Sequence, residues 1–110
     1  MGPSNYAQYI REREGKSIIE DAHGFATYLY TKEHCYIEDI FVVVGERQNG
    51  HAARYADQIA EEARLKGFKK LLGSVCPSAQ GSDISLKVLQ AYGFKLLSSD
   101  KNIIYMEKDI

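Results

Sequence analysis

CYIEDIFVVVGERQNGHAA, residues 35–53, decides how this chain folds. From Cys35 to Val44 the run is dense in Ile, Phe and Val and predicts the central strand of a sheet. Glu46 to Gly50 is a polar, glycine-containing connection into a helix. Beyond it Ala52, Ala56, Ile59, Ala60 and Ala63 recur at helical steps and define one apolar face, with Arg54, Asp57, Glu61 and Arg64 facing away. Glu62 and Lys66 are spaced as an i,i+4 ion pair worth about 0.3–0.5 kcal/mol. Gly67 is placed to end the helix.

Outward from this unit the pattern stays legible. Residues 4–14 carry Tyr6, Tyr9, Ile10 and Arg13 at three- and four-residue steps before Gly15, a short amphipathic helix whose Tyr6, Tyr9, Ile10 stripe reads as core or as a dimer surface. Ser17–Glu20 and Phe25–Thr31 are strands joined by a turn over Asp21–Gly24, and hence a hairpin. Downstream, Lys69–Val75 is a second apolar strand and Pro77–Gly81 a loop. Ser82 or Asp83 can cap a helix through Tyr92, which Gly93 ends. Lys95–Leu97 and Ile103–Glu107 close the chain as a hairpin. Helix, three strands, helix, strand, helix and two strands make one α+β domain over residues 1–110, with a mixed, mostly antiparallel sheet and a βαβ unit at its centre.

The turn inside that unit carries chemistry. The first N–H groups of a helix have no intrahelical acceptors, so a strand-to-helix turn presents an anion trap. Gly50 lets the backbone approach a ligand, and Ala52 and Ala53 leave the approach open. No Lys-Ser/Thr pair follows the glycine, so this is not a nucleotide P-loop; two of three glycines of the dinucleotide fingerprint are missing. Diphosphate is the natural guest of such a turn.

Bulk properties narrow the field. With 110 residues, 45% hydrophobic and 26% charged, the chain is sized and composed for one globular core. Fourteen basic against fifteen acidic residues give a net charge of −1, which argues against a nucleic-acid partner. No apolar run reaches the length of a membrane span, and the polar N-terminus does not read as a signal peptide. Cys35 and Cys76 suit reduced thiols in a cytoplasmic protein, with Cys76 read as a buried small hydrophobe. His23, His34 and His51 are dispersed without metal-ligand spacing, so they read as surface residues and no metal is expected.

Arg47, Gly50 and Ala52 match, place for place, the Arg/Gln-x-x-Gly-x-Gly/Ala motif of the GNAT superfamily of N-acetyltransferases, which the chain resembles over residues 16–110. A strand precedes the motif there as here, and a later helix ends in Gly-Phe, here Gly93-Phe94. The chain is particularly similar to very short acetyltransferase-like proteins of bacteriophages. The resemblance implies acetyl-CoA as the cofactor, with its pyrophosphate held by the backbone of Gln48, Asn49, Gly50, His51, Ala52 and Ala53, beside Arg47. It further implies that the N–H of Val42 bonds the thioester carbonyl, and that the strands on either side of the motif helix splay apart.

Glu38, four residues before Val42, matches a strand carboxylate that serves as base in several members. Ser82 stands where an asparagine often contacts the cofactor, and Arg54 and Lys87 are candidates for its 3′-phosphate. Where many members carry a tyrosine that protonates the leaving thiolate, this chain has Leu89. The N-terminal part that shapes the acceptor site is reduced to about one helix, so a second subunit or a protein partner would complete it. The expectation is acetyl transfer to a small-molecule or protein amine; the alternative is a weak or inactive CoA-binding or assembly module.

Overall fold

The computed structural model describes residues 4–47, 49–78 and 82–110, without the side chains of residues 82–85. In chain order the elements are α1 (Asn5–Glu14), β1 (Ser17–Asp21), β2 (Gly24–Tyr30), β3 (Cys35–Val42), α2 (His51–Leu65), β4 (Lys70–Val75), α3 (Ser82–Tyr92), β5 (Lys95–Asp100) and β6 (Ile103–Asp109). Ser4 caps α1 by accepting a hydrogen bond from the Ala7 N–H at 3.0 Å. Gly67, at φ +91°, provides the left-handed residue after α2.

The six strands form one sheet in the order β1-β2-β3-β4-β6-β5, and every neighbour pairing is antiparallel except β3 with β4. The parallel pair is bridged by α2, as an apolar strand, turn, helix and strand in succession require. Ala56, Ile59, Ala60 and Ala63 of α2 are buried with Ala26, Tyr28, Cys35, Ile37, Leu71, Phe94 and Met106 in one core, against which Leu86, Leu89 and Tyr92 of α3 also pack. Small residues on α2 bring its axis close to the sheet, and α3 lies beside it, with the Tyr92 hydroxyl bonded to Asp57 at 2.5 Å. Gly73 leaves room for α3: a β-carbon there would stand 3.4 Å from Leu89 Cδ2 and 3.5 Å from Phe94 Cε2.

Several expectations are corrected. In α1 only Ala7 and Ile10 are buried, whereas Tyr6 and Tyr9 are 55% and 52% exposed, because the helix touches the sheet chiefly through β1, at its edge. Glu62 does not pair with Lys66: it accepts a hydrogen bond from the Tyr30 hydroxyl at 2.7 Å, and the Lys66 ammonium stands over the Tyr30 ring. Cys76 lies just past the end of β4 and is exposed; Cys35 is buried. His34 is not a plain surface residue, since it pairs with Glu107 at 2.7 Å with both side chains less than one-fifth exposed. Tyr55, absent from the expected helix face, is fully buried and donates to Asp21 at 2.6 Å. The closing hairpin runs longer than its apolar residues indicate, to Asp100 and Asp109.

Candidate functional site

Strands β3 and β4 are paired only at Cys35–Leu71 and Tyr36–Leu72. Beyond that point β3 continues for six residues bonded to β2 alone, and β4 for three bonded to β6. The two parallel strands therefore part at their C-terminal ends. A hydroxyl pair, Tyr36 with Ser74 at 2.5 Å, spans them near the root of the split.

A bulge sits at the same place. Tyr28 opposes Ile37 and Thr27 opposes Asp39, which leaves Glu38 as the extra residue of β3. The bulge exchanges the faces: Cys35 and Ile37 are buried before it, and Ile40 and Val42 pack on the core after it. It also fixes which backbone groups face the split. The Val43 N–H bonds the His23 carbonyl at 2.9 Å. Bonded and non-bonded pairs alternate along an antiparallel ladder, so Phe41 and Asp39 bond to β2 while Ile40 and Val42 turn their N–H groups the other way, into the gap.

Helix α2 starts at this open end. Gly50, its N-cap at φ +81°, offers no side-chain cap, and the first helical hydrogen bond runs from the Arg54 N–H to the Gly50 carbonyl at 3.0 Å. The N–H groups of His51, Ala52 and Ala53 are thus left without intrahelical acceptors, at the positive end of the helix dipole. A β-carbon on Gly50 would meet no atom of the described residues within 4 Å. Asn49 is exposed beside it, and Gln48 lies outside the described residues.

Arg47 does not reach over the turn. Its Nε donates to the Val42 carbonyl at 2.9 Å and its guanidinium lies over the Phe41 ring, so it ties the end of β3 to the turn and keeps the Val42 peptide in place. Arg54 is likewise held, by Asp21 at 2.8 Å and His51 Nδ1 at 3.0 Å. The hydrogen bonds from Tyr55 and from the His23 N–H, with Arg54 beside them, hold the Asp21 carboxyl far below the usual carboxylate range. Lys87 is exposed on α3, and the Ser82 side chain lies outside the described residues.

Glu38 is paired with Lys16, Nζ to Oε1 at 2.6 Å. The hydrogen bond to Glu38, and then that to Glu14, raise the Lys16 pKa well above its ordinary value, so this ammonium persists at any physiological pH. Leu89 packs toward Gly73 and offers the gap no hydroxyl. A surface depression of about 460 Å³ lined by Gly93, Lys95, Leu96, Glu107, Lys108 and Asp109 lies at the other end of β4, away from the split. No helix among the described residues is long and apolar enough to cross a membrane.

No family model matches the chain, and no curated protein matches it by sequence. Solved structures do match its fold. A GNAT family acetyltransferase from Elizabethkingia anophelis with acetyl-CoA bound superposes with a TM-score of 0.72 at 15% identity, covering 99% of this chain and 92% of its own. The PaiA N-acetyltransferase from Thermoplasma acidophilum in complex with coenzyme A gives 0.74 at 14% identity, covering 92% of this chain and 66% of its own. The anti-CRISPR protein AcrVA5 gives 0.68 at 15% identity over 82% of this chain and 96% of its own. Against several other matched structures the chain spans only 57% to 65% of their length. The fold is the GNAT acyltransferase fold, and its structural neighbours include acetyltransferases solved with CoA or acetyl-CoA.

Proposed function

We propose that this chain is an acetyl-CoA-dependent N-acetyltransferase acting by direct attack of an amine. One observation carries the reading: the parting of β3 and β4 beyond Tyr36 and Leu72, opposite an α2 N-terminus that has no side-chain cap. The residues fit the co-substrate. A diphosphate accepts from the N–H groups of His51, Ala52 and Ala53, and a thin, flexible arm enters the gap with the Val42 N–H pointing into it. Acetyl-CoA supplies an acetyl group activated as a thioester.

The Val42 N–H donates to the thioester carbonyl oxygen and gains strength as negative charge grows there. The amine nitrogen forms a bond to the carbonyl carbon as the carbon–sulfur bond breaks, and Glu38 takes up the proton the nitrogen loses. The departing thiolate, of a thiol with pKa about 8.5, leaves without a dedicated acid, which suits Leu89 at the tyrosine position. The acceptor is a small-molecule or protein amine.

Leu89 also favours a second reading, a CoA-binding or assembly module without turnover. In this second reading the chain, of bacteriophage source, acts through a protein partner. Calorimetric titration with acetyl-CoA, of the chain and of Gly50→Glu, separates the cases. Micromolar binding lost in the variant supports the site, and CoA release across a panel of amines and peptides then supports transfer. Binding without release favours a CoA-binding module; no binding removes the transferase and leaves the assembly module with a protein partner.

A further inference from the structure

The fold gathers three metal-ligating side chains that lie far apart in sequence. His23 belongs to the β1–β2 turn, Glu46 to the β3–α2 turn, and His51 opens α2; a ligand atom from each lies within 4.8 Å of those of the other two. His23 Nδ1 and Glu46 Oε1 are 2.6 Å apart, and the His23 and His51 rings are stacked with centroids 4.1 Å apart. The backbone fixes all three: the Val43 N–H bonds the His23 carbonyl, Gly24 opposes Val42, and Tyr55, one turn into α2, is anchored on Asp21.

We propose that His23, Glu46 and His51 form a binding site for a divalent transition-metal ion of the zinc class, which clamps the β1–β2 turn onto the start of α2. This reverses the expectation drawn from histidine spacing, and it uses the side chain of His51, whose backbone N–H the acetyltransferase reading assigns to the diphosphate. Two imidazoles and one carboxylate, with an open position for water, are a donor set that zinc and its neighbours accept and that magnesium and calcium do not favour. Ligand atoms around a tetrahedral zinc ion are about 3.4 Å apart, given bonds of about 2.1 Å. The His23–Glu46 pair must therefore open by less than 1 Å as the ion replaces the shared proton. His23 and Glu46 are 40% and 36% exposed, so their side chains turn without disturbing the core.

The stacked rings must tilt so that their nitrogens converge. His51 Nδ1 now accepts from Arg54; because Arg54 is held independently by Asp21, it can release that nitrogen and stay in place. With neutral imidazoles the charges around the ion are those of Glu46, Asp21 and Arg54, a net −1 that a divalent cation relieves.

The test is calorimetry of the chelator-treated chain with Zn²⁺, alongside Co²⁺ as a spectroscopic probe, in a Cys76→Ser background that removes the exposed thiol. One equivalent is expected to bind with micromolar affinity, with visible cobalt bands of a low-coordinate nitrogen and oxygen site. Affinity should drop at least about 30-fold in His23→Ala and in Glu46→Gln. Far-ultraviolet circular dichroism confirms that each variant is folded, and His51→Ala provides a third if one is not. Absence of binding at about 100 μM Zn²⁺, about −5.5 kcal/mol, overturns the proposal, as does affinity unchanged in the variants.

Discussion

Lys16 Nζ and Glu38 Oε1 lie 2.6 Å apart, and Glu38 is the bulged residue of β3, two positions beyond the last pairing with β4. The pair joins the residue just before β1 to the place where the strands separate. An incoming ammonium must share this carboxylate with one already bound to it. If Glu38 takes the proton, Glu38→Gln should lower acetyl transfer by about 10²- to 10⁴-fold while acetyl-CoA affinity stays within twofold. Lys16→Met should lower the KM of the amine by freeing the carboxylate. Steady-state kinetics and calorimetry on the same preparations check both; parallel loss of affinity and rate in Glu38→Gln would mark the residue as structural.

Gly24 is the tightest backbone contact near the gap. A β-carbon there would lie 1.9 Å from the Phe41 carbonyl oxygen. Gly24→Ala must push β2 and β3 apart where the Val42 N–H is set, at an expected loss of about 2–4 kcal/mol. Urea unfolding measures it. A change below about 0.5 kcal/mol would show that the Asp21–Gly24 turn shifts freely.

How much of this was legible in the sequence depends on how local each interaction is. The apolar face of α2, the turn before it and the Gly67 stop depend on neighbouring residues, and all are where the pattern placed them. Tyr55 escaped because its hydroxyl is satisfied by Asp21, 34 positions away, and a polar atom counts against burial until its partner is known. The Glu62–Lys66 spacing failed for the same reason, with the partner on Tyr30. Strand β5 is exposed throughout, so Ser98–Asp100 carry no hydrophobic signal and only pairing to β6 makes them a strand. The gathering of His23 with His51 follows from the register of Gly24 on Val42, which no spacing within either segment encodes.

Leu89 faces Gly73 from α3, at the tyrosine position of many acetyltransferases that the chain resembles. Leu89→Tyr adds a ring to a packed site, so a stability loss of about 1–3 kcal/mol is expected. If proton delivery to the thiolate limits turnover, the same variant should release CoA about tenfold faster. Thermal unfolding and a thiol-release assay separate the two effects, and a folded variant with unchanged rate would show that leaving-group protonation is not limiting.

The buried Cys35 should contribute to the alkaline limit of the fold. Burial, with the charge of Glu62 as a lesser cause, pushes its thiol from 9.0 up to about 12. A folded-state pKa above the unfolded one means that the folded chain holds its proton longer. The thiol's contribution to stability is thus intact below pH 9 and is lost as the pH climbs toward 12. Burial likewise raises Tyr28 and Tyr30 from 10.0, so the loss should steepen above pH 10.0. Urea midpoints measured at steps from pH 7 to pH 11 should hold steady to about pH 9 and then fall. Cys35→Ala should be less stable at pH 7 through the cavity it leaves, yet decline less steeply above pH 9. Parallel declines in the two proteins would mean that the tyrosines alone set the limit.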